Sequence, residues 1–436
     1  MEVAIGCDHS LPDGTVLLPD DGGFGEIRSL RLGCTTVAAQ RAERGLQGEL
    51  VLSPDLWTRL AVPYGRIRLD ARPAADGELI LGPAVAVLYA GRVSRHSTRE
   101  AEERMRTFFG ARAGEAGLFA LGFDESIDWD AGVMDGFVLD NRGCSDMHIV
   151  AARFPIPAAV HLRWAIRREV IDRLRTLTGG KVFNWVRNMS KWQFHSLLST
   201  DRGLAEYLPD TRLLNSMVDL AAMLARHGTV FVKQVFGIRG MGMARIRRVP
   251  EGFELSHIER GAMVDRVVSQ PADLMPALRQ TLGSGRLIVQ EGLDLVGLRG
   301  RKLDFRVLAV REPGAGWRCA FRHAKVAPDE RLAFINLANG AQDADMPAAL
   351  AEHYGLAPES AEQVADDLTQ LALRAAETLS AALDPVGILG IDLAVDARTR
   401  QIYLLEANTV PGWGYAEAVE EALARSQTEY ALSLTR

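Results

Sequence analysis

The segment from Ile388 to Asn408 constrains this chain more than any other. Two strand-like runs, Ile388–Val395 and Gln401–Asn408, flank the turn formers Asp396–Arg400 and read as a β-hairpin. Side chains alternate along a strand, so Glu406 and Asn408 share one face, and Asp392 points away from Ile391, Leu393 and Val395. Strand pairing can bring Asp392 beside Glu406. Two carboxylates and an amide oxygen then converge. A carboxylate on an otherwise apolar strand is costly to bury alone, so these groups need a cation, a donor or water. They are hard oxygen donors of the kind Mg²⁺ takes, usually with nucleotide phosphates and waters completing its shell. A hairpin with a simply wet polar face satisfies the same residues, and taken alone the pattern leaves both readings open.

A second feature lies upstream. Lys233 ends the apolar strand Thr229–Val235, and Gly237, Gly240 and Gly242 follow as G-x-x-G-x-G before another strand, Met243–Arg248. Glycines let backbone N–H groups approach phosphate oxygens closely, and Lys233 adds a point charge. A strand follows where a Walker A loop or a dinucleotide fingerprint would open a helix. A hairpin lid over a triphosphate fits better. Lys191, in Asn188–Trp192, stands near the start of a helix-like run ending at Leu198, where a surface lysine is the ordinary reading.

The 436 residues exceed one ordinary core, so two or three domains are expected. A composition that is 47% hydrophobic and 24% charged excludes a mainly disordered chain. The net charge of −6 gives no support to nucleic acid or an anionic membrane as a partner. Cys7, Cys34, Cys144 and Cys319 are scattered, which suggests neither a disulfide framework nor a zinc site. No stretch has the composition of a secretory signal or a membrane span, and the chain reads as cytoplasmic.

Residues 1–78 read as a small β-rich domain. Residues 79–180 read as a small α/β domain, with parallel strands at Leu118–Gly122 and Gly136–Leu139. It also has a helix over Ser97–Gly110 capped by Ser97 and Glu100, and helical periodicity over Val160–Leu177. Residues 181–436 hold the chemistry, with a lid at about 229–290. Leu213–His227 and Ser360–Leu383 read as helices. Arg286–Gln290 and Asp304–Val310 read as strands.

Together these features resemble the ATP-grasp superfamily. Thr229–Ile246 looks like the lysine strand and phosphate loop of D-alanine–D-alanine ligases, and Gly390–Gly412, with its "LLEAN…PG" ending, looks like their metal hairpin. The pattern resembles the YheC/YheD family of spore-coat-associated ATP-grasp proteins more closely. That resemblance covers "ILGPAVAVL" (80–88), "FNWVRNMSKWQFHSLL" (183–198), "LPDT" (208–211), "VQEGLDL" (289–295), "DFRVL" (304–308) and the hairpin, or about residues 80–436. It implies an α+β ATP-grasp fold, two subdomains gripping ATP, preceded by an α/β pre-grasp domain and the β-rich N-terminal one.

The resemblance implies that Lys191 and Lys233 contact ATP phosphates and that Gly237, Gly240 and Gly242 form the mobile loop. Gln290, Glu291 and Leu293 would sit at the hinge reading adenine and ribose. Asp392, Glu406 and Asn408 would hold one or two Mg²⁺, with Mn²⁺ an alternative. Arg306 and Arg322 would face the site. Asn336 and Gly340, in "INLANGA", resemble a loop of glutamate-adding ligases that borders the γ-phosphate and acceptor. The implied activity is ADP-forming carboxylate–amine ligation through an acyl phosphate, acting on an amino acid, a peptide or a small carboxylate. D-alanine–D-alanine ligases carry an arginine two residues before the hairpin aspartate; here Gly390 stands there, and Arg322, then Arg306, are the expected substitutes. The alternatives are a nucleotide-binding scaffold without turnover and a phosphotransferase. A homodimer is a common state among such relatives.

Overall fold

The computed structural model describes residues 1–436 except 21–22, 43–47, 143–146, 164–165, 186–188, 238–241, 260–261, 329, 331–334, 336–339 and 412–414. The described residues form four sheets. The first has eight strands between Glu2 and Gly82. Its last strand, Glu78–Gly82, pairs within this sheet through Gly82, so the boundary expected after residue 78 falls inside that strand. Val3, Leu30, Leu50 and Leu69 of this sheet share one apolar core with Leu88, Leu118 and Val160 of the next.

The second sheet is built around Ala84–Tyr89. Leu118–Asp128 pairs with it in parallel on one side and Ala159–Leu162 on the other. Val133–Asp140, expected to be parallel, runs antiparallel to Leu118–Asp128, because a short connection after Asp128 turns the chain straight back. The run expected to be helical over Val160–Leu177 is divided: Ala159–Leu162 is a strand, and the helix is Arg168–Leu177. The helix Thr98–Phe109 starts at Ser97, whose hydroxyl and Glu100 form the reciprocal capping box.

The third sheet is wholly antiparallel and holds the segment of about 229–290 expected to be a lid. Its strands run in the order Thr211–Leu213, Leu287–Glu291, Thr229–Gln234, Met243–Val249, Gly252–Glu259, Ala262–Val268. The helices Met217–His227 and Pro271–Leu282 cover its apolar face, with Leu220, Met223, Leu274 and Leu278 packed on Val230, Val232, Ile246 and Val289.

The fourth sheet carries the expected hairpin. Arg301–Glu312 lies between Gly316–Val326 and Ile388–Val395, and Ile402–Asn408 pairs beyond the latter. One face packs on the helix Pro358–Leu383, whose apolar stripe includes Ala365, Leu368, Ala372 and Leu379. The C-terminal helix Glu417–Thr435 packs on both the second and the fourth sheets. Among the described residues, no helix is long and apolar enough to cross a membrane, and Cys7, Cys34 and Cys319 are free thiols.

Candidate active site between the lid and the hairpin

Local sequence places the two lysines. Ser190 and Gln193 form a capping box that fixes Lys191 as the first residue of the helix Lys191–Leu198. The Lys191 amide donates to the Val235 carbonyl at 3.1 Å, which ties this helix to the lysine strand. Lys191 Nζ donates to the Gly237 carbonyl at 3.1 Å and lies 3.4 Å from Glu406 Oε2. Lys233 Nζ donates to Gln290 Oε1 at 2.6 Å, and Gln290 donates to Thr211 Oγ1 at 2.9 Å. Burial, with the charge of Lys191 adding to it, pulls the Lys233 ammonium down to about 8. An anion arriving beside the two lysines would offset both effects and favour the charged ammonium.

Gly242 closes the lid turn with φ +76°, and its carbonyl accepts from the Gln234 amide. A Cβ there would lie 2.3 Å from Gln234 Oε1 on a left-handed backbone, so a substitution would be strained and would displace that side chain. Gly237 is described and Gly240 lies outside the described residues. Lys191, Lys233 and Gln290 line one slot with Phe194, His195, Leu208, Pro209, Ile288, Leu404 and Leu405. This slot lies between the lysine strand and the hairpin, is lined by both polar and apolar side chains, and has room for about one water, ≈ 10 Å³. Glu291 ends its strand 3.4 Å from His227 Nδ1, and His227 Nε2 meets Asp210 at 3.0 Å. Burial raises the Glu291 pKa. Leu293 follows, half-buried.

In the hairpin, Asp392 stands opposite Glu406 and Gly390 opposite Asn408, which puts the three oxygen donors on one face. Asp392 is buried. Arg306, directly across the next strand, donates Nε and Nη2 to its two oxygens at 2.6 and 2.7 Å, and Lys325 Nζ donates to it at 3.1 Å. Burial alone would raise the Asp392 pKa. The two cations reverse this and hold it well below the usual carboxylate range. Lys325 also lies 3.1 Å from Asp304, whose carboxyl burial pushes up to about 7 against the pull of that lysine. Asp392, Glu406 and Asn408 are oxygen donors of the type a hard divalent ion takes and share a face in register, while in this structure both Asp392 oxygens are taken by Arg306 and Lys325.

Arg322 is not in this site. It pairs opposite Val307, on the face covered by the helix Pro358–Leu383, and its guanidinium binds Asp366 at 2.6 Å and also Glu362. The physical reason is strand parity: Arg322 shares a face with Ala324 and Val326, both in the apolar core. Arg306 takes the place beside Asp392. A Cβ on Gly390 would lie 3.7 Å from Arg306 Nε and 3.1 Å from the Pro411 side chain, so the arginine of the next strand already borders the position where an arginine was missed. Asn336 lies outside the described residues; Gly340, φ +85°, is an exposed turn.

Three residues on the Arg306 face were missed. They are Asp304, Lys325 and His323, whose Nδ1 is 2.7 Å from Asp343 while its buried Nε2 has no partner in the described structure. The alternation Phe321, His323, Lys325 against Arg322, Ala324, Val326 carries the signal that would have found the last two. His195, Leu208 and Pro209 were missed as slot residues because nothing in their spacing singles them out.

The YheC/D-like ATP-grasp profile matches residues 179–434, more than half of the chain. The chain belongs to this family. It is 24% identical to the endospore coat-associated protein YheD of Bacillus subtilis (strain 168) over 428 residues, 94% of this chain and 89% of that protein. Among solved structures it is similar to the ATP-grasp ligase PsnB complexed with minimal precursor (16% identity, 79% of this chain and 99% of that one, TM-score 0.41). It is also similar to D-alanyl-alanine synthetase A from Vibrio cholerae (15%, 75% and 88%, TM-score 0.42) and to the D-cycloserine synthetase DcsG (15%, 79% and 99%, TM-score 0.42).

Proposed function

We propose that the protein is an ATP- and Mg²⁺-dependent, ADP-forming ligase that joins a carboxylate to an amine through an acyl phosphate. One observation supports this reading: Lys191 and Lys233 line one slot, and Lys191 lies 3.4 Å from Glu406, which stands opposite Asp392 and two residues before Asn408 in the hairpin. A scaffold needs no such convergence. Lys191 and Lys233 bind the phosphates of ATP, and the base enters the slot past Phe194 and Leu208 once the lid opens. Asp392, Glu406 and Asn408 would hold Mg²⁺, which would supply charge neutralisation at the phosphates. Gly237, Gly240 and Gly242 let the lid close and keep water from the acyl phosphate. Arg306 leans across the strand pair toward the same face and stabilises the oxyanion formed when the amine attacks. The condensation forms a C–N bond and releases phosphate; the proton leaves the amine.

The test is calorimetry with ATP and Mg²⁺, followed by product mass analysis with pooled amino acids and peptides. ADP with a condensed product is expected. Absence of ATP binding would sink the reading, and a phosphorylated product without condensation would make the protein a phosphotransferase. The coat association in the name of YheD favours a second reading, a nucleotide-binding assembly protein. Glu406→Gln separates the two: a ligase loses turnover by about a hundredfold or more while its fold persists, whereas an assembly protein keeps its function.

A further inference from the structure

A second cavity lies apart from the slot and shares none of its described lining residues. It measures ≈ 580 Å³, within the range that holds a small organic ligand. It opens where the C-terminal helix Glu417–Thr435 packs on the end of the helix Thr98–Phe109, beside the edge strand His148–Pro155 of the second sheet. Buried Thr428 fixes this junction, its hydroxyl donating to the Phe108 carbonyl at 2.8 Å. Glu421, Arg425 and Thr428 follow helical spacing and so share the face that lines the cavity. Leu423 of the same helix packs instead with Leu308 and Ile388 of the fourth sheet.

The lining is basic on an acidic protein. Arg106, Arg112 and Arg425 stand against one carboxylate, Glu421, among the described lining residues, in a chain of net charge −6. His148 adds a cation when protonated. Arg112 is already held, by Glu115 at 2.7 Å and by Glu429. Arg106 and Arg425 make no ion pair and no side-chain hydrogen bond with the described residues. Both are exposed, and water alone would satisfy either one. What sets them apart is that they border one concavity from two different helices. Like charges gathered on a concave wall focus a positive potential and attract an anion.

We propose that this cavity binds a small phosphate monoester, its phosphate held by Arg106 and Arg425 with Arg112 and His148 beside them. A carboxylate offers two oxygens in one plane, which one guanidinium fork satisfies. A phosphate offers three anionic oxygens in different planes, which suits guanidiniums arriving from two helices. Bare phosphate would leave most of the volume unfilled. Phe108 and Met147 give the organic part an apolar wall, and Glu421 gives an acceptor for its hydroxyl or amine groups. The proposal goes beyond the ligase reading and does not depend on it.

The experiment is calorimetric titration of the full chain, with thermal midpoints, against phenyl phosphate, glycerol phosphate, adenosine monophosphate and inorganic phosphate, with malonate and glutarate as dicarboxylate controls. At least one ester should bind more tightly than inorganic phosphate and both dicarboxylates. The double variant Arg106→Gln, Arg425→Gln should weaken that ester by about tenfold to a hundredfold. Its midpoint without ligand should stay that of the wild type, because both side chains are exposed and unpaired among the described residues. Lys191→Met, in the slot, should leave ester binding unchanged. The proposal is overturned if no ester binds, if a dicarboxylate binds as tightly, or if the double variant binds like the wild type. Ester binding lost in Lys191→Met and kept in the double variant would assign the ester to the slot and also overturn it.

Discussion

The strand Arg301–Glu312 presents Leu303, Phe305, Val307 and Ala309 to the helix Pro358–Leu383, and Asp304 and Arg306 to the cleft. Its neighbours repeat the division: Leu389, Ile391 and Leu393 against Asp392, and Arg322, Ala324 and Val326 against His323 and Lys325. One face contributes stability through apolar area removed from water, roughly 25 cal/mol per Å². The other buries Asp304, Lys325 and Asp392 with Arg306 half-buried beside them, an arrangement that contributes little net stability and collapses if one member is removed. Buried charge kept at such cost, on the face that carries Glu406 beside Lys191, supports the proposed chemistry. The same two-residue period that makes a sheet therefore separates what holds the protein together from what it does.

Removing Lys325 tests that division most severely. Lys325→Met leaves Asp304 and Asp392 with Arg306 alone, and a stability loss of about 3–5 kcal/mol is expected by denaturant titration. The double variant Asp304→Asn, Lys325→Met should lose less than the single one, since the carboxyl that most needs the lysine is gone. Additive losses would break the picture of one coupled cluster. On the opposite face, Leu393→Ala should cost about 3 kcal/mol by leaving a cavity between Phe305 and Leu404, yet the folded fraction should bind nucleotide with wild-type affinity. A large fall in affinity would show that the faces are not independent.

The lysine strand gives a pH signature. Lys233 has a folded pKa of about 8, below its unfolded value of 10.5. Between those values the unfolded chain binds more protons, so this group makes the ligand-free protein more stable as pH rises from about 8 toward 10. Nucleotide phosphates favour the charged ammonium, so affinity should fall over the same range and binding near pH 8.5 should take up a proton. Calorimetry in buffers of different ionisation enthalpy reads this directly, and Lys233→Met should abolish the uptake.

The hairpin and the lysine strand were legible because each is a local pattern: alternation places Asp392, Glu406 and Asn408 on one face, and a lysine followed by spaced glycines ends a strand. The Val160–Leu177 segment was misread because its helical half begins only at Arg168, and the apolar residues before it belong to a buried parallel strand whose periodicity is invisible. The partners of Asp392 were not legible, because they depend on which strands lie side by side. Nothing local in "DFRVL" says that Arg306 will stand across from Asp392, 86 positions away. Only pairing of the two strands in that register brings them together.

Arg322 is the mildest test and the most direct one of strand parity. Assigned by its face, it is a structural residue tied to Asp366, Glu362 and Thr369 of the long helix. Both acids are half exposed, so water and salt screen the pairs. Arg322→Ala should therefore cost only about 1 kcal/mol, and less at high salt. Turnover and nucleotide affinity should stay within about twofold of wild type, since a loss below 0.5 kcal/mol is all that a residue outside the cleft can transmit. Arg306→Ala, by contrast, leaves Asp392 with Lys325 alone and removes the cation nearest Gly390, so its turnover should fall while Arg322→Ala keeps its own. If the two variants exchange these outcomes, the oxyanion is served from the helix-covered face and the division between the faces fails.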